Sequence, residues 1–418
     1  MVDAAPFTAL RYDPAVAGDP ASTSAPAYDL IEPLAYAQHR TASPYTVLEL
    51  LAPDGAYARS GQLLERWRRN GVLVTDGPAL FRYEQHELLA GARLHTQRGV
   101  LAAVRIETPG RGSILPHEEV DEARVRARLR RLEAVPAELD PVYMVLEDPP
   151  AELSRLLTTM PETPPVVAAS DEAGVDHRIW AWRDPETHAE LARLLGGTRA
   201  IIADGHHRYA RSLAWRDRCR QRGGDVDGEA PWERVLAYLV DPVAGSPRLE
   251  AMHRMLMPVS AAQLEVLRED FDFEETSSDP GEIVSRLHAA PGRAFGLVGP
   301  GPRAFLLHSR DDAALRDQLP PGHSKSWATL DAAVLTHAVL PRLGLAPHAV
   351  RYRADVETCV GEVARADDAA LVLLRPAPME TVLKLASAGE RLPYKSTRFL
   401  PKPRTGLLMR PVDGDSAH

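Results

Sequence analysis

Two periodicities share this chain. Apolar runs at 142–146, 235–240, 295–298, 304–307 and 370–374 suit buried strands, and 178–183 alternates as a half-buried strand does. Residues 45–51, 72–74, 79–84 and 99–107 read as further strands from their β-forming side chains. Helical spacing predicts helices over 34–40, 61–70, 120–134, 151–157, 188–195, 259–270, 329–343 and 382–388. In 61–70, Leu63, Leu64 and Trp67 line one face and Asn70-Gly71 closes it. Strands and helices interleave, so the expected fold class is α/β, of mixed α+β order.

The sharpest change of period falls within 199–222. Ile201, Ile202 and Ala203 form a short apolar run, and the chain turns at Asp204-Gly205. From His206 the pattern is helical, with Ala210, Leu213 and Ala214 on one face and Gly223-Gly224 as the stop. Asp204-Gly205-His206-His207-Arg208 therefore sits where a strand hands over to a helix start. The first helical N–H groups lack intrahelical partners and carry partial positive charge, which suits phosphate. Gly205 lets the backbone approach a ligand. Arg208 can make paired hydrogen bonds to phosphate oxygens. His206 and His207 can donate hydrogen bonds or move protons. Asp204 would repel phosphate directly, so it suits a magnesium ion or a proton. The plain alternative is an N-capping Asp on a solvated first turn.

The run from Ile202 to Tyr209 resembles the signature of a prokaryotic family known as domain of unknown function 1015. Pro26-Ala-Tyr-Asp-Leu-Ile31, Ser43-Pro-Tyr-Thr-Val-Leu-Glu-Leu50, Pro116-His-Glu118 and Lys395-Ser-Thr-Arg-Phe-Leu-Pro-Lys402 resemble its other recurring blocks, in order, so the likeness covers nearly the whole chain. Asp-Gly-His-His-Arg followed by a helix is also similar to the nucleotide-binding motif of the ParB/sulfiredoxin superfamily, which includes free-serine kinases. That similarity implies a ParB/sulfiredoxin-like nucleotide-binding core. It also implies phosphate binding by the His/Arg pair and the helix start. In the serine kinases the motif's acidic residue and a second carboxylate serve phosphoryl transfer. Glu32 occupies an N-terminal place reminiscent of that second carboxylate, although the uncharacterised family carries a small hydroxyl residue there. Asp29 and Glu49 match the family blocks better and are rivals.

Composition narrows the partners. The chain has 418 residues, 44% apolar and 26% charged, enough for two or three domains with real cores. A net charge of −9 argues against nucleic acid or an anionic membrane as the main partner. Cys219 and Cys359 are the two cysteines, without a Cys-x-x-Cys, so neither a disulfide scaffold nor a thiolate zinc site is expected. A sulfiredoxin-like reaction would need its cysteine where His206 stands. The first residues lack a basic, apolar leader, and no stretch reaches membrane-span length, so a cytoplasmic protein is expected.

Three more features carry chemistry. Lys395, Ser396 and Thr397, with Lys402 and Arg404, form a basic cluster suited to phosphate or carboxylate, without P-loop glycine spacing. His117-Glu118 can do acid–base work but is not His-Glu-x-x-His. The arginines of 120–134 read as one solvated face of a charge-paired helix.

The domain reading is a loosely ordered segment over 1–26 and a nucleotide-binding α/β domain over 27–250. A second α/β unit follows over 251–418, with a basic tail able to return to the site. The functional expectation is an ATP- or ADP-dependent small-molecule kinase whose acceptor is the hydroxyl of a free amino acid such as serine. Gly205, His206, His207, Arg208, Lys395, Ser396 and Thr397 would hold nucleotide. Asp204, Glu32, His206 and Glu118 are the catalytic candidates, and Asp204 would position magnesium. The partner is then a small hydroxy amino acid, and monomer and homodimer both stay open. A ParB-like nucleotide switch without turnover and a phosphate-ester hydrolase are the alternatives.

Overall fold

The computed structural model describes residues 1–27, 33–51, 55–89, 91–108, 112–223, 228–300 and 303–413. Contacts divide the chain into two units. Unit 1 comprises Met1–Pro247 together with Pro401–His418, and unit 2 comprises Arg248–Leu400. Both are mixed α/β.

Unit 1 runs β1 (Ala4–Ala5), β2 (Phe7–Tyr12), α1 (Tyr57–Arg69), β3 (Leu73–Leu89), β4 (Arg93–Arg105), β5 (Ile114–Leu115), α2 (Glu122–Ala134), β6 (Ala137–Glu138) and β7 (Val142–Glu147). It continues through α3 (Ala151–Thr158), β8 (Val167–Ser170), β9 (Val175–Trp182), α4 (Pro185–Leu195), β10 (Arg199–Asp204), α5 (His206–Gln221) and β11 (Arg234–Val240). Among the described residues its main sheet has the order β5-β10-β7-β11-β4-β3-β9-β8, with β1 beside β4 and β2 beside β3. β5 and β10 run parallel, as do β7 and β11; the other pairs are antiparallel.

Alternation gives this sheet two different faces. Leu80, Val100, Ala102, Met144, Leu146, Ile202 and Leu239 point to one face, where Leu153 and Leu157 of α3 and Leu191 and Leu194 of α4 close an apolar core. The intervening positions carry Tyr83, Gln85, Gln97, Tyr143 and Tyr238, all buried. A polar, buried second face needs partners for its hydroxyls and amides, and the returning chain at 401–404 supplies them.

Unit 2 runs β12 (Arg248–Ala251), β13 (His253–Leu256), β14 (Phe271–Thr276), α6 (Pro280–Ala289), β15 (Ala294–Val298), β16 (Ala304–Ser309), β17 (Val350–Arg353), α7 (Val356–Val363), β18 (Ala370–Leu373), α8 (Met379–Ser387) and β19 (Thr397–Leu400). Its antiparallel sheet has the order β14-β16-β15-β18-β13-β17, and β12 pairs with β19 separately. Successive residues serve opposite cores. Phe295, Leu297 and Val372 face Val334 and Leu335, whereas Val298, Leu371 and Leu373 face Ile283, Leu287 and Cys359. Burial on both sides explains why these strands read as continuous apolar runs.

Several expectations fail for identifiable reasons. Residues 1–26 are not loosely ordered: β2 pairs with β3, and Asp13 and Asp19 cap short helical turns by accepting from Ala15 N–H (3.0 Å) and Ala21 N–H (2.9 Å). Residues 45–51 are not a strand. The Ser43 and Thr46 hydroxyls accept from the N–H groups of Tyr45 (3.1 Å) and Leu48 (3.5 Å), and the chain turns into the helix Leu48–Leu51. The helix expected over 259–270 is shorter, Ala261–Glu265 followed by a 3-10 turn at Val266–Glu269. The one over 329–343 breaks into Asp331–Val334, a π-turn at Leu335–Val339 and a 3-10 turn at Leu340–Leu343. Pro341 has no N–H to give, and its ring crowds the carbonyl four residues back. The tail 401–418 belongs to unit 1, not to the second unit. Among the described residues no helix is long and apolar enough to cross a membrane.

Candidate functional site

The parallel register Ala200↔Ile114 and Ile201↔Leu115 brings the C-terminal ends of β10 and β5 side by side. Two sequence blocks thereby meet: Asp204-Gly205-His206 after β10 and Pro116-His117-Glu118 after β5. His206 Nε2 accepts from the backbone N–H groups of His117 (3.1 Å) and Glu118 (3.2 Å). Its Nδ1 lies 3.8 Å from Glu118 Oε2, and its ring packs edge-on against His117 with centroids 4.6 Å apart. His207 Nε2 accepts from Asp121 N–H at 3.0 Å. A nitrogen that accepts carries no proton, so these contacts assign the proton of each neutral ring to Nδ1. Burial, with Arg128 and Arg124 nearby, pushes His207 below the ordinary histidine value and favours that neutral form. Both histidines thus fasten segment 117–121 to the first turn of α5.

Gly205 begins that turn at φ +97°, a conformation that strains any side chain. An added Cβ would lie 2.7 Å from Arg208 Nε. Gly205 has no side chain with which to cap α5. The Arg208 guanidinium bridges Asp140 and Asp204. The remaining Asp204 oxygen accepts from Lys402 Nζ at 2.7 Å. Burial would raise the Asp204 carboxyl, but Lys402 and Arg208 outweigh it and hold the group well below the usual carboxylate range. Asp140 is likewise opposed by burial and held down by Arg208, Arg131 and Arg211.

Lys402 is aimed by the polar face of the sheet. Gln85 Nε2 donates to Lys402 O at 2.9 Å, and Gln97 Nε2 donates to Pro401 O at 3.0 Å and to Gln85 Oε1 at 2.7 Å. The Tyr143 hydroxyl donates to Gln97 Oε1. Two residues on, buried Arg404 donates from Nε to Ser24 Oγ at 2.7 Å and lies 2.9 Å from Glu172 Oε2. The chain at 401–404 is therefore anchored on both sides of the lysine.

Asp204, Gly205, His206, His207, Arg208 and Glu118 come together as one constellation. Glu32 and Asp29 lie outside the described residues. Glu49 is elsewhere in unit 1, paired with Arg40 at 2.8 Å. Lys395, Ser396 and Thr397 belong to unit 2. Sequence reasoning missed Asp140, Gln85 and Gln97; it placed Lys402 in the basic cluster suited to phosphate but did not count it among the nucleotide-binding residues. Among the described residues no group of three or more His, Cys, Asp or Glu side chains could hold a metal ion. Both oxygens of Asp204, expected to position magnesium, are engaged by cations. These residues do not fit a resident metal.

A family model described as a protein of unknown function, DUF1015, matches residues 4–333. None of the curated proteins matches the chain. Among solved structures, SbnI with a C-terminal truncation from Staphylococcus aureus is 14% identical over 76% of this chain and 90% of that one, at a TM-score of 0.38. A free serine kinase in complex with AMP is 14% identical over 71% of this chain and 89% of that one, at a TM-score of 0.34. A conserved hypothetical protein from Pyrococcus furiosus is 12% identical over 71% of this chain and 92% of that one, at a TM-score of 0.32. Likenesses this loose assign no activity.

Proposed function

This chain belongs to the DUF1015 family, and we propose that its unit 1 binds the phosphates of ATP or ADP and passes one phosphoryl group to the hydroxyl of a free amino acid such as serine. The observation that carries this reading is the glycine turn that starts α5 at Gly205, flanked by the two cations that share Asp204. The helix start, Lys402 and Arg208 would meet the phosphates from fixed positions, and phosphoryl transfer is mainly positioning and charge stabilisation. The adenine base and the hydroxy amino acid come from the motif's resemblance to the free-serine kinases. In the reaction the acceptor oxygen bonds to the terminal phosphorus as the bond to the departing phosphate oxygen breaks. The hydroxyl proton would pass to a carboxylate; Glu118, 3.8 Å from His206 Nδ1, is the candidate, and Glu32 is its rival. Both Asp204 oxygens are already taken, one by Arg208 and one by Lys402. Asp204 holds Lys402 and Arg208 in position instead.

The test is calorimetric titration of the full chain with ATP and ADP, followed by mass spectrometry of a panel of free hydroxy amino acids. An adenine nucleotide should bind, and a phosphorylated amino acid should appear. Lys402→Met should weaken nucleotide binding about tenfold or more, the scale of one charge-assisted contact. Absence of nucleotide binding by the full chain would end the proposal. One observation favours a switch as the second reading: segment 117–121 hangs from His206 and His207, so a ligand at α5 would act on it directly. Binding without product would support that reading, and phosphate release without an acceptor would support a hydrolase.

A further inference from the structure

Unit 2 contains a cavity of about 360 Å³. Met252, Leu330 and Leu374 give it apolar walls, and Arg375, Thr381 and Ser396 give it polar ones. Ser396 belongs to the Lys395-Ser396-Thr397 block, which the unit 1 site leaves unused. Lys395 beside it sits at φ +51°, a left-handed conformation seldom taken by a lysine. Backbone strain of this kind concentrates where chains clamp ligands.

The charges around this cavity are unequal. Arg375 donates from Nε to Asp331 Oδ2 (3.1 Å) and from Nη1 to Ala290 O (3.3 Å). Its Nη2 has no protein partner among the described residues. The other Asp331 oxygen accepts from Arg293 Nη1 at 2.8 Å, so the charge of Asp331 is already answered by two guanidiniums. Behind Met252, Arg254 is fully buried and does not itself line the cavity. Its Nη1 donates to the carbonyls of Met252 and Lys395, the second at 3.4 Å. Its Nε and Nη2 are unpartnered. Arg254 stacks over the Tyr352 ring at 4.3 Å and makes no ion pair with a carboxylate among the described residues. Neighbouring His253, pushed down to about 4 by burial and by Arg254, supplies no compensating charge. A buried guanidinium without a counter-charge is costly, and it adds positive potential behind this side of the cavity.

We propose that this cavity is a binding site for a small organic carboxylate, held by Arg375 Nη2 and the Thr381 hydroxyl, with its hydrocarbon body against Met252, Leu330 and Leu374. The uncapped start of α8, behind Pro378, adds main-chain donors at the same end. One free guanidinium edge and mostly apolar walls suit a monoanion with a short apolar body, not a polyphosphate. The site lies wholly within unit 2 and does not depend on the reading of unit 1.

The test is titration of the full chain with propionate, butyrate and valerate, beside their amides and inorganic phosphate, followed by calorimetry and ligand-observed NMR. At least one acid should bind and its amide should not. Arg375→Gln should weaken that binding about tenfold or more, as expected for a lost charge-assisted hydrogen bond. Ala377→Leu, which fills the cavity while leaving the Arg375–Asp331 pair in place, should abolish it with the circular dichroism spectrum unchanged. Lys402→Met in unit 1 should leave it unaltered, which separates this site from the nucleotide site. Equal binding of acid and amide, binding of phosphate alone, binding of none of the acids, or indifference to both unit 2 variants would overturn the proposal.

Discussion

Asp204 is where the site's charge is balanced. Its two oxygens answer two cations, and Lys402 at 7% side-chain exposure has little water to replace it. Removing one partner of such a group strands the other, at a cost of about 3 kcal/mol. Asp204→Asn should therefore destabilise the protein by roughly that amount at neutral pH. The pH dependence follows from the depressed pKa. An unfolded aspartate titrates near 3.8, and the folded group titrates lower. The ionised carboxylate's stabilisation is thus complete above about pH 4 and fades as acidification passes from the unfolded value toward the folded one. Chemical denaturation of both proteins at pH 7 and pH 3 measures it: the gap should narrow at pH 3, and an equal gap would show that the charge is not what stabilises. At this scale the sequence was readable only where neighbours in space are neighbours in the chain. Asp204 to Arg208 are contiguous. Lys402 meets them because Gln85, 317 residues earlier, holds its carbonyl, and no local pattern announces that.

The decisive element is the handover from β10 to α5. The apolar run, the glycine and the helical period made both elements legible, because each depends on its own few residues. Segment 117–121 was legible as a block but not as a neighbour, since its place depends on the parallel pairing of β5 with β10. The same limit explains 329–343, where the apolar spacing promised one helix and Pro341 divides it. The handover also gives Gly205 a specific burden. Gly205→Ala would place a methyl group against Arg208 Nε in a conformation that costs a non-glycine residue about 1–2 kcal/mol. The expected outcome is a stability loss of that order. Nucleotide affinity should fall further than with Lys402→Met, because the turn, both cations and the helix start shift together. Parallel melting curves and titrations of the two variants decide it. Wild-type affinity in Gly205→Ala would mean that the ligand does not use this turn.

At the scale of the whole molecule, unit 2 is an insertion in unit 1. The composition of the two units is alike, so the pattern of apolar positions shows where strands stop but not that the chain leaves one unit and later re-enters it. The re-entry is written instead in β12 and β19, where Arg248 stands opposite Leu400. Residues opposed in an antiparallel ladder have Cα atoms about 4.5–5.5 Å apart. The insertion thus leaves and returns at nearly one point, a gap that two or three residues can span. Replacing 248–400 with a short Gly-Ser linker should leave unit 1 a cooperative folding unit that keeps its tail, and with it Lys402 against Asp204. The excised 248–400 should fold alone, because its sheet is covered on both faces by its own helices. Calorimetric melts of the two pieces and of the whole chain test this. Two separate cooperative transitions would establish the insertion. Loss of cooperative melting in the linker variant would mean that unit 1 needs unit 2 to hold its tail. The order of the site would then depend on both units, and Gln85 and Gln97 would not suffice to aim the lysine.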